Sequence, residues 1–95
     1  MKAIWRGQVI AQSNQTIVLG GHHYFPRTTV DGRYLVSNAQ RGLHRVAGPL
    51  HYFDLRCPDD GATLPNGAWH APEAPGDMAI LVDHIAFEAS VHVIS

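Results

Sequence analysis

Apolar and polar positions alternate with a period of two over most of the chain, and proline or glycine interrupts nearly every run of ten residues, so the pattern predicts short β-strands. Lys2 to Arg6 and Gln8 to Gln12 read as strands broken at Gly7, and β-branched Thr16 to Leu19 reads as a third. The polar Ser13-Asn14-Gln15 cluster is a turn signal, which predicts an antiparallel hairpin between the second and third strands. His22 to Phe25 is a fourth short strand, stopped by Pro26 because proline has no N–H for a ladder. Thr28 to Leu35 accommodates one helical turn or a loop around Asp31-Gly32, and polar Ser37 to Gly42 reads as loop. Leu50 to Leu55 is the clearest central strand, with Leu50, Tyr52 and Asp54 on one face and His51, Phe53 and Leu55 on the other. Asp59-Asp60-Gly61 is a turn, and Pro65, Asn66-Gly67, Pro72 and Pro75 leave room only for a short strand around Ala68 to His70. Met78 to Val82 fits a helical turn with Asp77 as N-cap, and Ile85 to Ile94 alternates as a last strand. The expected fold is mainly β: a compact antiparallel two-sheet domain with one or two short helices.

The chain's 95 residues predict a single domain over 1–95, and its 45% apolar and 16% charged residues are those of an ordinary globular fold. The single cysteine, Cys57, closes no internal disulfide, and MKAIWRGQV lacks the apolar run of a signal peptide. A cytoplasmic location is expected on that basis. Apolar stretches such as Met78 to Val82 fall far short of the roughly 18 residues a membrane span needs, so no membrane partner is expected. Net charge is −1, but residues 1–56 hold all seven Lys and Arg against Asp31 and Asp54, whereas residues 57–95 hold six acids and no Lys or Arg. Such a split fits an anionic ligand, self-association, or compensation between halves that pack together; no nucleic-acid partner is expected.

Signatures of common chemistry are missing. Gly42-Leu43-His44-Arg45-Val46-Ala47-Gly48 spaces its glycines by five residues and runs into Pro49, unlike a P-loop. There is no Gly-x-Gly-x-x-Gly, Cys-x-x-Cys, His-Glu-x-x-His or Gly-x-Ser-x-Gly. Seven histidines are scattered, and neighbours His22 and His23 on a strand point to opposite faces and cannot share one ion. No metal or other cofactor is expected. Cys57 has only Arg56 beside it to lower its thiol pKa and reads as a packed side chain. Trp5, Tyr24, Phe25, Tyr52, Phe53, Trp69 and Phe87 suffice for much of a small core; alternatively some of them, with Arg27, Arg33, Arg41 or Arg45, line a concave site for a planar anionic ligand.

MKAIWRGQVIAQSNQTIVLGGHHYFP, with AWHAPEAP and DHIAF, resembles the small bacterial domain-of-unknown-function 427 family over nearly the whole chain. The likeness rests on Trp5 and Gly7, Ser13 and Thr16, Gly21 to Pro26, Gly48 with Tyr52, Ala68-Trp69 with Pro72 and Pro75, and Ile85-Ala86-Phe87. It implies a mainly β fold of two sheets with a cleft between them, in a family sometimes labelled nucleotidyltransferase-like. Members commonly carry Cys-Pro-Trp-Lys-Gly where this chain has His44-Arg45-Val46-Ala47-Gly48, and aromatics where it has His70-Ala71 and Glu88-Ala89. The resemblance therefore implies a changed or reduced site, in which His44 and Arg45 partly replace the lost polar groups.

Three functions follow as expectations. The leading one is a small-ligand binding module taking a planar or anionic metabolite, nucleotide-like in the first instance, with Tyr24, His44, Arg45, Tyr52 and Trp69 as ligand-binding residues. An enzyme with His22, His44 or Glu88 as general acid or base is the second. The third is a homo-oligomeric interaction domain in which the oppositely charged halves meet.

Overall fold

Arg6 and Gly7 both adopt left-handed backbone, at φ 53° and 75°. In the computed structural model, which describes all 95 residues, this two-residue turn folds β1 (Lys2–Trp5) antiparallel against β2 (Gln8–Gln12). Gly20 and Gly21, at φ 61° and 81°, likewise join β3 (Ile17–Leu19) to β4 (His22–Pro26). The hairpin expected at Ser13 to Gln15 is therefore not formed: β2 pairs with β1 and β3 with β4, and the polar cluster carries the chain from one sheet to the other.

Two short 3₁₀ turns follow, Arg27–Thr29 and Gly32–Tyr34, the second closed by the Asp31 carboxylate accepting from the Arg33 N–H. Then come β5 (Leu35–His44), β6 (Gly48–Arg56) and β7 (Thr63–His70) as an antiparallel meander. Ser37 to Gly42, expected as loop, belongs to β5. It is polar because β5 is a sheet-edge strand, and it is irregular because Ser37 opposes Phe53 while Arg41 opposes His51, leaving Asn38, Ala39 and Gln40 to face Tyr52 alone. β7 is longer than expected because Pro65, Asn66 and Gly67 are absorbed in a second irregularity opposite Asp54.

A longer 3₁₀ segment, Gly76–Leu81, has Pro75 rather than Asp77 at its cap position and no side-chain cap. The expected final strand is two: β8 (His84–Phe87) joins β4 and β7, whereas β9 (His92–Ile94) joins β1. The result is a three-stranded sheet, β2-β1-β9, and a six-stranded sheet, β3-β4-β8-β7-β6-β5. Strand occupies 55% of the residues and helical turns 13%, so the fold is mainly β.

The larger sheet is covered on both faces, which is why β6 carries bulk on both. Phe25, Phe53, Leu55, Ala68, Ile85 and Phe87 pack with Ala3, Trp5, Ile10 and Ala11 of the smaller sheet in one core. Tyr24, Leu50 and Ala86 lie in a second core with Ala47, Ala71, Ala74 and Leu81. No helix is long and apolar enough to cross a membrane.

Candidate functional site

The five residues expected at a ligand site do not share one cavity. Tyr24 is 1% exposed, and its hydroxyl accepts a hydrogen bond from the Trp69 indole N–H at 3.1 Å. Trp69 packs edge-on against His22 at a centroid distance of 4.8 Å and lies 6.1 Å from Tyr52. These aromatics thus satisfy one another. The Tyr52 ring lies against β5 at Gly42, where a Cβ would come within 2.9 Å of its hydroxyl.

His44 ends β5, and its Nδ1 accepts from the N–H groups of Val46 and Ala47, both at 3.1 Å, which closes the β5–β6 turn and leaves Nε2 as the protonated nitrogen of the neutral ring. Arg45 projects from that turn, exposed and without an ion-pair partner. His22 Nδ1 lies 3.2 Å from the Phe87 carbonyl, His23 Nδ1 lies 3.0 Å from the Thr16 hydroxyl, and Glu88 accepts from the Ser90 N–H. His22 and Glu88 border one cleft of about 200 Å³, and His44 stands apart from it. No three His, Cys, Asp or Glu side chains are grouped so as to hold a metal ion.

Volume alone does not identify a site. The roomiest cleft, about 290 Å³ between β2 and the first 3₁₀ turns, has Asp31 as its one charged residue, and that carboxylate is held by Arg33 at 2.7 Å. Chemistry instead converges in a cleft of about 260 Å³ on the β5-β6-β7 surface. Arg27, Arg41, His51 and His70 line it, with Phe53 as its apolar wall and Asn38 and Ser37 at the β5 bulge.

Each of these side chains is placed by the fold. His51 and His70 are directly opposed across the β6–β7 ladder, so the two-residue period puts both on one face, with ring centroids 5.6 Å apart and planes at 87°. His70 also rests on Phe53 at 5.0 Å, and the Arg27 guanidinium stands 5.5 Å from the centre of the same ring. Arg41 donates to the carbonyls of Asn38 and Gln40 at 3.1 and 2.8 Å, so it wraps the bulge and keeps other N–H groups free. The bulge is anchored from behind: Asn38 Nδ2 donates to Asp54 at 2.7 Å and to Asn66 Oδ1 at 2.9 Å.

Burial, and then the positive charges of His51, Arg27 and Arg41, hold His70 below the usual histidine range. Of the acids, Glu73, mostly exposed, brings Oε2 to 3.8 Å from His51 Nε2, and Asp54 lies behind Asn38, which donates to it at 2.7 Å. Two permanent cations and two imidazoles thus line one space, and neither Glu73 nor Asp54 is among its lining residues. Arg27 and Arg41 are among the arginines that the composition puts forward; His51 and His70 are not among the expected ligand residues, His51 entering only as one of the scattered histidines and His70 only as a departure from the family's aromatics.

A family model labelled NTP_transf_9 and described as "Domain of unknown function (DUF427)" matches residues 1–94, and the chain belongs to that family. No curated protein matches the chain.

Proposed function

We propose that this DUF427 domain binds a small anionic metabolite, nucleotide-like compounds included, in the cleft between Arg27, Arg41, His51 and His70. The observation that supports this reading is the convergence of four nitrogen-rich side chains from separate segments around one concave space. Neither guanidinium is neutralised by a carboxylate, since the ion pairs of the molecule are Arg6–Asp60, Arg33–Asp31 and the long His51–Glu73 contact. Tyr52 is the one residue of the expected site that borders this cleft.

The test is titration of the protein and three alanine variants with a panel of nucleotides and acidic metabolites. Arg41→Ala should weaken binding about tenfold to hundredfold, the range for loss of a charge-assisted hydrogen bond, and raised salt should narrow the difference. Arg33→Ala, whose guanidinium is already engaged by Asp31, should bind like the parent. A loss on Arg45→Ala with none on Arg41→Ala would move the site to the β5–β6 turn, and no binding by the parent would refute the reading.

A further inference from the structure

His70 is surrounded by positive charge on several sides. His51 faces it from β6, Arg41 from β5 and Arg27 from the first 3₁₀ turn, while Phe53 covers one side of its ring. Glu73, from the segment after β7, approaches His51 instead. We propose that the cleft takes a doubly charged tetrahedral oxyanion, free or as the terminal group of a phosphomonoester, and that His70 gains a proton from solvent as the anion binds. This rests on the cleft being the ligand site, and it adds the ligand's charge and a pH dependence.

The two arginines select the dianion, since they are the only permanently charged side chains that line the cleft: Glu73 and Asp54 stand behind its lining residues. In the empty cleft Arg27 and Arg41 contribute two permanent positive charges, which together with burial oppose protonation of His70. A dianion cancels both and supplies oxygen acceptors to a ring N–H, so the cationic ring becomes the favoured form in the complex. A monoanion cancels only one of the two charges. By linkage, a proton taken up on binding makes affinity rise as pH falls, by at most tenfold per pH unit, over the interval between the free and bound titration of His70. His51 is the other imidazole that faces this space, with Glu73 3.8 Å from its Nε2, and so is the control for such a dependence.

Inorganic sulfate is the probe of choice, since it stays a dianion from pH 6 to pH 8 and any pH dependence then belongs to the protein. Sulfate affinity should fall several-fold from pH 6 to pH 8, and calorimetry in two buffers of different ionisation enthalpy should show proton uptake by the unmodified protein. His70→Gln, which keeps an N–H donor and does not titrate, should give a sulfate affinity that no longer changes between pH 6 and pH 8, whatever its absolute level; His51→Gln should keep the change. Phenyl phosphate compared at pH 8, where it too is a dianion, separates the sources: tighter binding than sulfate assigns an organic phosphomonoester, and equal binding assigns a free oxyanion. Sulfate binding that is flat with pH, or a dependence that survives His70→Gln and disappears in His51→Gln, would overturn the proton uptake and leave the anion cleft standing. No sulfate or phenyl phosphate binding at any pH would remove both.

Discussion

Asp54→Ala tests whether the cleft's outer wall depends on a polar anchor behind it. Asp54 Oδ1 accepts from Asn38 Nδ2 at 2.7 Å and from the Asn66 backbone N–H at 2.9 Å, and Asn66 itself sits at φ 53°. One carboxylate thus pins the irregularities on both sides of β6, the β5 bulge through Asn38 and the β7 bulge through Asn66. Hydrogen bonds to a charged acceptor contribute about 1.5–3 kcal/mol each when one partner is removed, and Asp54 is only half-buried, so water replaces part of the loss. The expected cost is therefore about 2–3 kcal/mol for the pair, or roughly 10–20 °C in Tm for a domain of this size. Asp54→Asn keeps an acceptor oxygen and should lose less than half as much. Because Arg41 is held by the Asn38 and Gln40 carbonyls, loosening the bulge should also weaken anion binding in Asp54→Ala. Urea denaturation of the parent and both variants measures the first effect. A loss of less than about 0.5 kcal/mol in Asp54→Ala, the level of an ordinary surface change, would show that the bulges hold without the anchor.

Three other outcomes are expected. Gly67→Ala should cost about 1–3 kcal/mol, because its Cβ would stand 2.8 Å from Leu55 Cγ and 3.1 Å from Leu64 Cδ2 and the fully buried Leu55 has nowhere to retreat; an unchanged urea midpoint would contradict this. Tyr24→Phe should lose about 1 kcal/mol and alter tryptophan fluorescence, since the Trp69 indole N–H loses its acceptor; an unchanged emission spectrum and stability would argue against the bond. Stability should fall on acidification below about pH 6.5, where histidines of the unfolded chain begin to bind protons that the folded chain does not. Burial lowers the pKa of both His70 and His84, the latter against the opposing pull of Asp83 and the Ile80 carbonyl, and His84 Nδ1 is buried without a partner. Their contribution is complete above the unfolded value and is lost as pH drops through the depressed folded values, so urea midpoints equal at pH 5 and pH 7 would refute it.

What the sequence conveyed and what it withheld divide along a physical line. The β6 alternation was legible because both faces of the large sheet are covered, so Leu50 and Phe53 are each buried in a different core. β5 was not legible, since an edge strand with exposed Val36 and Leu43 and a three-residue bulge has no buried face to impose a period. The choice of partner was equally hidden. Val91 and Val93 alternate as a strand should, yet nothing local indicates that the chain leaves the sheet of β8 at Phe87 and enters that of β1 at His92. In the first hairpin Gly7 marks only a break in the sequence, whereas the polar Ser13 cluster carries the stronger turn chemistry and yet joins two strands of different sheets. The histidine pair depends on register as well: His51 meets His70 only because the β7 bulge shifts the ladder between Phe53 and Leu55.

The uneven charge of the chain has a similar resolution. Compensation between a basic first half and an acidic second half predicts ion pairs that join the two, and only Arg6–Asp60 does so fully, at 2.7 Å, with His51–Glu73 a longer contact. Arg27, Arg41, Arg45, Arg56 and Lys2 remain without carboxylate partners. Unpaired surface cations are common and by themselves mean little. Arg27 and Arg41 differ from the others because the fold brings them to the same concavity as two imidazoles, with an aromatic wall under one guanidinium and the carbonyls of a bulge holding the other. Local charge density is thus set by the β5–β6–β7 register and by the turn after β4. A change that shifts the register should disperse these four side chains, and with them the proposed anion binding, while leaving the net charge of −1 untouched.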